Sequence, residues 1–134
     1  MNLASTRILT DDVPRLVEFY ERILGATARW ATPAFAVIPA GSGEIAVAGV
    51  ETLAYGGTPG IAEPRTNRSV FLEFAVDDVD GEFTRLSDGV VVEFVLEPTT
   101  MPWGNRSLLF RDPDGNLINF FRRPDAARGQ RTTR

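Results

Sequence analysis

Hydrophobic and polar residues alternate in short runs along most of the chain, which is the pattern of half-buried β-strands. Proline and glycine residues separate the runs, so each predicted strand is short. The predicted strands span residues 3–10, 27–30, 35–38, 44–48, 70–76 and 90–95, and two more form a hairpin between residues 106 and 121.

Two other segments have helical spacing. Apolar residues recur every three or four positions over residues 13–24, with Asp12 before them as an N-cap and Gly25 after them as a stop. A second, shorter helix is predicted over residues 79–86, where an interior glycine weakens the pattern.

The predicted hairpin contains the turn Asp112-Pro113-Asp114-Gly115-Asn116. Pro113 and Gly115 suit the central turn positions, and Asp112 and Asn116 can bond back to the local backbone. Turn chemistry therefore accounts for Asp112 and Asp114, and we assign neither a catalytic role.

Alternation also sorts the side chains of the hairpin arms. In the first arm it places Leu108 and Phe110 on one side and Ser107, Leu109 and Arg111 on the other. In the second arm Ile118 and Phe120 share one side, opposite Leu117, Asn119 and Phe121. Asn119 is the polar exception on its side of the second arm, so it is a candidate for function.

The segment Asp11-Asp12-Val13 recurs in the second half of the chain as Asp77-Asp78-Val79. Each copy lies between a predicted strand and a predicted helix, and three strands follow each helix. Each half is an incomplete layer, so we expect the two sheets to lie side by side. We predict one domain over residues 1–125, with modules at 3–50 and 69–123, a linker with a mobile loop at 51–68, and a disordered tail at 126–134.

The composition excludes several kinds of chemistry. The 134 residues include no cysteine and no histidine, so thiol nucleophiles, disulfides, thiolate metal sites and imidazole bases are absent. The 14 basic residues, all arginines, are scattered and the net charge is −4, so we expect no nucleic-acid partner. No apolar run is long enough to span a membrane and no signal segment is recognisable, so we expect a cytoplasmic protein.

Three motifs, in chain order, give the sequence a family resemblance. They are Asp12 followed by Phe19-Tyr20 and Leu24-Gly25, the strand end Leu72-x-Phe74-x-Val76-x-Asp78, and Phe110-x-Asp112-Pro113-Asp114-Gly115-Asn116. In this duplicated frame they resemble the vicinal oxygen chelate superfamily, which includes glyoxalase I, extradiol dioxygenases and bleomycin-binding resistance proteins. The resemblance covers residues 3–123. It implies an α+β fold in which two βαβββ modules form a curled mixed β-sheet, a cup for a small ligand, with flanking helices.

Metal-dependent members of that superfamily place their ligands at four strand positions that face the cup. By the resemblance, these positions are Ser5, Ala46, Phe71 and Asn119. Divalent ions prefer carboxylate or imidazole ligands there, whereas alanine and phenylalanine have no donor atom. We therefore expect no metal and no other cofactor.

The implied cup face is mostly apolar with a few polar groups, as small-molecule sites usually are. Our candidate ligand-binding residues are Ser5, Arg7, Phe71, Glu73, Trp103, Asn119 and Phe121. Glu73 is a weak catalytic candidate as a base, or a partner for a ligand amine, but an ion pair with Arg7 is the role we favour. Asn119 either binds the ligand or satisfies backbone at a strand end. Trp103 either stacks on a flat ligand or packs against the linker or a partner subunit.

Three functions remain open from the sequence. The first is metal-free sequestration of a planar or hydrophobic small molecule, by a homodimer whose open sheet edges are paired or covered. The second is a glyoxalase-like lyase, isomerase or dioxygenase, which the missing metal ligands disfavour. The third is a metal-free enzyme that uses Glu73 as its base.

Overall fold

The structure is a computed structural model that describes residues 1–56, 60–91 and 93–124. Within these ranges the chain forms strands, two α-helices and a 3-10 helix. In chain order they are β1 (Ser5–Thr10), α1 (Val13–Leu24), β2 (Arg29–Thr32), β3 (Phe35–Ala40), β4 (Gly43–Gly49), the 3-10 helix (Val50–Gly56), β5 (Phe71–Ala75), α2 (Val79–Ser87), β6 (Phe94–Thr100), β7 (Arg106–Arg111) and β8 (Leu117–Arg122).

These elements divide into two compact units. Unit 1 comprises residues 1–67 with Pro113–Gly115, and unit 2 comprises residues 68–112 and the chain from Asn116 onward. Each unit has a four-stranded sheet, with the strand order β1-β4-β3-β2 in unit 1 and β5-β8-β7-β6 in unit 2. The pairs β1–β4 and β5–β8 are parallel, and the other pairs are antiparallel. The predicted α+β fold of two βαβββ modules is confirmed, whereas the cup and the single-domain boundaries stay predictions.

The two α-helices begin at equivalent aspartate caps. Asp12 accepts a hydrogen bond from the Arg15 backbone N–H at 3.2 Å, and Asp78 accepts one from the Gly81 N–H at 3.0 Å. Gly25 ends α1 with a φ of 62°, a left-handed conformation that a residue without a Cβ adopts without strain. Both helices therefore form where their local capping residues predict.

Unit 1 packs α1 against one face of β3 and β4. A Cβ added to Gly49 would come within 3.2 Å of Val13 Cγ2, so the face of β4 that carries Gly49 lies against the helix. The buried residues of this layer include Val13, Leu16, Val17, Phe19, Tyr20, Ile23, Ala36, Ile38, Ile45 and Val47. Most are aliphatic, so the layer depends on close packing of branched side chains.

Unit 2 packs α2 against its sheet through a row of aromatic rings. Phe83 on α2 contacts Phe94 with ring centroids 4.9 Å apart, and Phe94 contacts Phe110 at 6.2 Å. Phe110 contacts Phe120 at 5.1 Å, and Phe120 contacts Phe74 at 5.8 Å. All four contacts are edge-to-face, the geometry that aromatic pairs prefer. The face of the sheet with Phe110 and Phe120 is therefore the one that α2 covers.

The predicted turn between β7 and β8 is confirmed. The Asn116 N–H donates to Asp112 Oδ1 at 2.9 Å, Asn116 Nδ2 donates to Asp112 Oδ2 at 2.8 Å, and the Asp112 N–H donates to the Asn116 carbonyl at 3.0 Å. Gly115 has the positive φ expected of it, at 88°. The alternation of the arms is also confirmed, because Leu108, Phe110, Ile118 and Phe120 are all at most 2 % exposed.

The sixth strand is where the prediction was wrong. β6 begins at Phe94 rather than at residue 90, and it runs through Pro98 to Thr100 rather than ending at residue 95. Proline lacks the N–H that an interior strand needs, but β6 is an edge strand and its pairing with β7 is irregular between Leu96 and Thr99. Edges and bulges are the places where a sheet tolerates proline.

The predicted linker also contains regular structure, since the 3-10 helix occupies its first part, where Thr52 Oγ1 donates to the Gly49 carbonyl at 2.7 Å. The other predicted strands in residues 3–76 agree with the structure to within two residues at each end. The predicted disordered tail at 126–134 lies outside the described residues. No helix in the described ranges is long and apolar enough to cross a membrane.

Candidate functional site

Each sheet has an open face, which we define as the face opposite its helix. The open face of unit 2 carries Phe71, Glu73 and Ala75 of β5, Leu117, Asn119 and Phe121 of β8, and Ser107, Leu109 and Arg111 of β7. Four of the predicted ligand-binding residues therefore lie on one surface, namely Phe71, Glu73, Asn119 and Phe121.

A carboxylate and a carboxamide are paired on this open face. Glu73 and Asn119 are register partners on the parallel strands β5 and β8, and Asn119 Nδ2 donates to Glu73 Oε2 at 2.9 Å. Asn119 is 8 % exposed, and its Oδ1 is buried without a hydrogen-bond partner among the described residues. A buried acceptor that lacks a partner costs free energy, and the exposed carboxylate of Glu73 is the part of the pair that a ligand can reach.

The favoured ion pair between Glu73 and Arg7 stays a prediction. The two residues lie in different units, and each has another neighbour in its own unit. Asn119 donates to Glu73, and Arg7 lies over an aromatic ring.

Aromatic side chains flank the Glu73–Asn119 pair along the strands. Phe71 is 48 % exposed, so its ring is accessible rather than buried in the core of unit 2. Phe121 is half-buried, and the guanidinium carbon of Arg123 lies 5.2 Å from the centroid of its ring, within the range of a cation–π contact. The polar pair is therefore bordered by apolar area that a flat molecule could cover.

The open face of unit 1 carries a cation instead. Arg7 on β1 is the register partner of Ala46 on β4, and Phe35 on β3 is the register partner of Ala48. The guanidinium carbon of Arg7 lies 5.1 Å from the centroid of the Phe35 ring, so the two side chains meet over β4. Ala46 and Ala48 are 3 % and 0 % exposed, and their small side chains leave the space in which the arginine lies.

Ser5 lies on the same open face, at the exposed start of β1, where its register partner is Glu44. A cavity of about 680 Å³ opens at this end of unit 1 and is lined by residues 2–4, Pro39 and residues 41–44. Its volume suits a small ligand, but its lining has no aromatic side chain. Ser5 and Arg7 thus share a surface, and the cavity lies beyond it.

Trp103 does not lie on the open face of its sheet. It occupies the tip of the hairpin between β6 and β7, where the Gly104 N–H donates to the Met101 carbonyl at 2.8 Å. The Met101 N–H donates to the Asn105 carbonyl at 2.7 Å and closes the tip. Trp103 is 70 % exposed, so both of its predicted roles, stacking on a ligand and packing on another surface, stay predictions.

The residues at the four superfamily metal positions do not suit a divalent ion. Ala46 and Phe71 have no donor atom, and Ser5 and Asn119 are neutral donors. Asn119 also uses its Nδ2 to hold Glu73. In the part of the chain that the structure describes, no three acidic side chains cluster closely enough to hold a metal ion. We therefore assign no metal chemistry to these positions.

Sequence reasoning missed Phe35 and Arg123, and it missed the burial of Ser107. Alternation could not tell which face of β3 carries Phe35, because only its pairing with Ala48 decides that. Arg123 follows the last strand, where no periodicity remains to place it. Ser107 was assigned to the correct face, but its near-complete burial at 3 % exposure depends on the neighbouring strands.

Two exposed ion pairs lie near the helix starts, away from the open faces. Arg106 donates to both carboxylate oxygens of Asp80 at 2.8 Å, and this hydrogen bonding lowers the pKa of Asp80. Arg65 donates to Asp11 and lowers the pKa of that carboxyl in the same way. Asp80 lies in the first turn of α2 and Asp11 lies just before the cap of α1, and each is joined to another segment of the same unit.

Known proteins resemble the chain over most of its length. The family model of the glyoxalase/bleomycin resistance protein/dioxygenase superfamily matches residues 2–120. YraH of Bacillus subtilis (strain 168), which is described as uncharacterized, is 30 % identical over 126 residues, 91 % of this chain and 98 % of that protein.

Two solved structures have the same fold. A glyoxalase/bleomycin resistance protein/dioxygenase from Nocardioides is 25 % identical, with a TM-score of 0.77, and the match covers 93 % of this chain and 85 % of that one. A family enzyme with that description from Burkholderia phytofirmans PsJN is 18 % identical, with a TM-score of 0.80, and the match covers 91 % and 98 % of the two chains.

Proposed function

Because the chain belongs to the glyoxalase/bleomycin resistance protein/dioxygenase superfamily, we propose that it binds and sequesters a small molecule without a metal ion. The proposed ligand has a planar or hydrophobic body and at least one N–H or O–H donor. The donor set at Ser5, Ala46, Phe71 and Asn119 supports the metal-free part of the proposal, because two of these residues have no donor atom.

The observation that carries the proposal is the Glu73–Asn119 pair. Asn119 Nδ2 uses one of its two N–H groups to donate to Glu73, and the exposed carboxylate of Glu73 keeps lone pairs that can accept from a ligand. An amine or hydroxyl group complements such a pair. Phe71 and Phe121 offer apolar area beside it.

The size of the expected effect follows from the charge of Glu73. Hydrogen bonds to charged groups contribute about 1.5–3 kcal/mol, which corresponds to roughly tenfold to a hundredfold in affinity. Stacking on one aromatic ring adds about 0.5–1.5 kcal/mol. Loss of the Glu73 charge should therefore weaken binding more than loss of either ring.

A second candidate function is catalysis with Glu73 as a general base. The observation that favours it is the exposure of Glu73 on the open face, combined with the hydrogen bond from Asn119 that orients its carboxylate. A base needs such positioning as well as access to the proton that it removes. This candidate differs from sequestration in requiring turnover of the bound molecule.

The test is a fluorescence titration with proflavine, a planar cation with N–H donors. We expect saturable binding to the wild-type protein, and about tenfold or greater loss of affinity in Glu73→Gln. The matched control is Glu97→Gln, which removes one exposed negative charge from β6 and should leave the affinity unchanged.

Each other outcome of this titration has a defined meaning. Unchanged affinity and a lower melting temperature in Glu73→Gln would contradict the proposal and favour the ion pair with Arg7. Retained binding with lost turnover of a chemically reactive ligand would favour the second candidate. A stoichiometric metal in elemental analysis, lost on Asn119→Ala, would contradict the metal-free reading.

We also propose a homodimer in the cytoplasm. The edge strands β1, β2, β5 and β6 each leave one side without a partner strand in their own sheet, and exposed edges are usually paired or covered. Light scattering at micromolar concentration should give twice the mass of the chain, and a monomeric mass would contradict this assembly.

A further inference from the structure

The open face of unit 1 carries the guanidinium of Arg7, which the described residues position but do not neutralise. Arg7 is exposed, and its side chain takes part in none of the ion pairs or hydrogen bonds of the described residues. Its neighbour is the Phe35 ring, whose centroid lies 5.1 Å from the guanidinium carbon. A cation–π contact of this kind orients the side chain and leaves its charge in place.

A guanidinium carries five N–H groups, and contact with one ring leaves N–H groups available to acceptors. Two parallel N–H groups match the two oxygens of a carboxylate, which makes a bidentate pair. Because Phe35 already restricts the side chain of Arg7, binding would order fewer of its rotamers than binding to a free arginine would.

The charges on the strands around Arg7 also favour an anionic ligand. Arg29 on β2 is the register partner of Val37, and Val37 is the register partner of Ala46, so a second arginine lies on the same open face. The acidic residue of this face, Glu44, lies beside Ser5 at its end. The part of the face around Ala46 therefore carries positive charge.

The same part of the face also carries apolar area. Leu9 is the register partner of Ala48, and both Leu9 and Val37 are half-buried rather than buried. An acid with an apolar body would cover these side chains, whereas an inorganic anion would not. Ala46 and Ala48 between these side chains are small and buried, so they take up little space above β4.

We infer that Arg7, which lies over the Phe35 ring beside Ala46 and Ala48, binds the carboxylate of a small molecule. The apolar body of that molecule lies against Leu9 and Val37. The inference rests on the proposed function, in that it assigns a small molecule to this protein, and it adds an acidic group to the ligand. It concerns unit 1 alone, whereas the proposed function is carried by Glu73 and Asn119 of unit 2.

The test compares 1-naphthoate with 1-naphthamide, which has nearly the same shape but no charge, by isothermal titration calorimetry. We expect the wild-type protein to bind naphthoate at least tenfold more tightly than naphthamide. Arg7→Gln should lower the naphthoate affinity to that of naphthamide. Arg15→Gln, on α1, makes the same change in net charge away from the open face and should have no effect.

Three further variants test whether the planar guanidinium, the neighbouring ring and the space around them matter beyond the charge alone. Arg7→Lys keeps the charge but loses the planar fork, and should lose about half an order of magnitude or more of naphthoate affinity. Phe35→Leu keeps Arg7 and removes the ring, and should weaken binding several-fold. Ala46→Leu fills the space above β4 and should abolish binding. Thermal melting of each variant shows whether it is folded, and Arg7→Lys and Phe35→Leu decide the matter if Arg7→Gln does not fold.

The inference is overturned if Arg7→Gln binds naphthoate as well as the wild type, or if Arg7→Lys does. A second result would also overturn it. In that result naphthoate binds to none of the proteins, and the drops in melting temperature of Arg7→Gln and Glu73→Gln do not add up to the drop in the double variant. Arg7 would then be the partner of Glu73. Proflavine binding reports on Glu73 in the same samples. Its retention when naphthoate fails would overturn this inference and leave the proposed function standing.

Discussion

Units 1 and 2 have the same strand register, yet they carry opposite charges at equivalent positions. β5 corresponds to β1, with Phe71 in the place of Ser5, so Glu73 of unit 2 corresponds to Arg7 of unit 1. β8 corresponds to β4 in the same way, so Asn119 is equivalent to Ala46. In unit 1 the small residue makes room for an arginine to reach a ring, and in unit 2 the carboxamide holds a carboxylate. Backbone pairing thus determines where a side chain lies, and the neighbouring side chains determine what it can bind.

The two units also differ in how they fill their cores. The register pair Ile38–Ile45 of unit 1 corresponds to Phe110–Ile118 of unit 2. α1 buries six residues, whereas the shorter α2 buries only Val79 and Leu86 among its residues. A larger ring on the sheet covers area that a shorter helix leaves open, so the aromatic row compensates for the small contribution of α2.

The largest expected effect tests this compensation. Phe110→Ala should lower the free energy of unfolding by about 3–5 kcal/mol, because Phe110 is fully buried between two other rings. Urea denaturation measures the change. A loss below about 1 kcal/mol would mean that the aromatic row is not what stabilises unit 2.

The matched variant in unit 1 is Ile38→Ala, for which we expect a loss of about 2–5 kcal/mol. If residues 1–125 form one domain, as we propose, both variants should shift a single cooperative transition. Two transitions, each moved by one variant only, would contradict the single domain. Val95→Ala, at a 45 % exposed position, serves as the control and should change stability by no more than about 0.5 kcal/mol.

A smaller effect is expected from the repeated helix caps. Asp12→Ala and Asp78→Ala each remove the side chain that accepts a backbone N–H at a helix start, and each should cost about 1 kcal/mol in the same urea assay. Glu18→Ala, at an exposed position inside α1, is the control and should cost much less. A large loss for one cap and none for the other would show that the two repeats are not energetically equivalent.

The smallest effect concerns the exposed ion pairs and depends on pH. Hydrogen bonds from Arg65 and Arg106 lower the pKa values of Asp11 and Asp80 in the folded protein. A lowered folded pKa stabilises the fold above the unfolded pKa of about 3.9, and this contribution is lost as the pH falls from there through the folded pKa. Both carboxylates are well exposed, so the contribution is small.

Melting curves of Asp11→Asn and Asp80→Asn measure this contribution in units 1 and 2. At about pH 7 each variant should melt slightly below the wild type, and the difference should shrink at about pH 3 as the wild-type carboxyls take up protons. A difference that stays constant over this range would show that the charge of these carboxylates does not contribute to stability.

The features that the sequence determined by itself are those that neighbouring residues decide. Asp12 and Gly25 specify the ends of α1, and the Asp112–Asn116 turn specifies the hairpin. In each case the hydrogen bonds or the required φ involve residues within a few positions of one another, so local physical chemistry is enough. The recurrence of the aspartate motif, each time between a strand and a helix, then reveals the duplicated fold.

The extent of β6 is different, because it depends on the position of the strand in the sheet. Pro98 ends an interior strand but is tolerated in an edge strand, and the sequence alone does not show that β6 lies at an edge.

Part of the candidate site was predicted from the sequence, and part was decided only by the tertiary structure. Alternation assigned Glu73, Asn119 and Arg7 each to one side of its own strand, and the family resemblance implied that these sides face the cup. The pairing of Glu73 with Asn119 joins residues 46 positions apart, and the contact of Arg7 with Phe35 joins two strands on either side of a third. Strand register and long-range packing decide such contacts, and no local preference of the chain encodes them. Only the tertiary structure therefore decided which partner each charged group has.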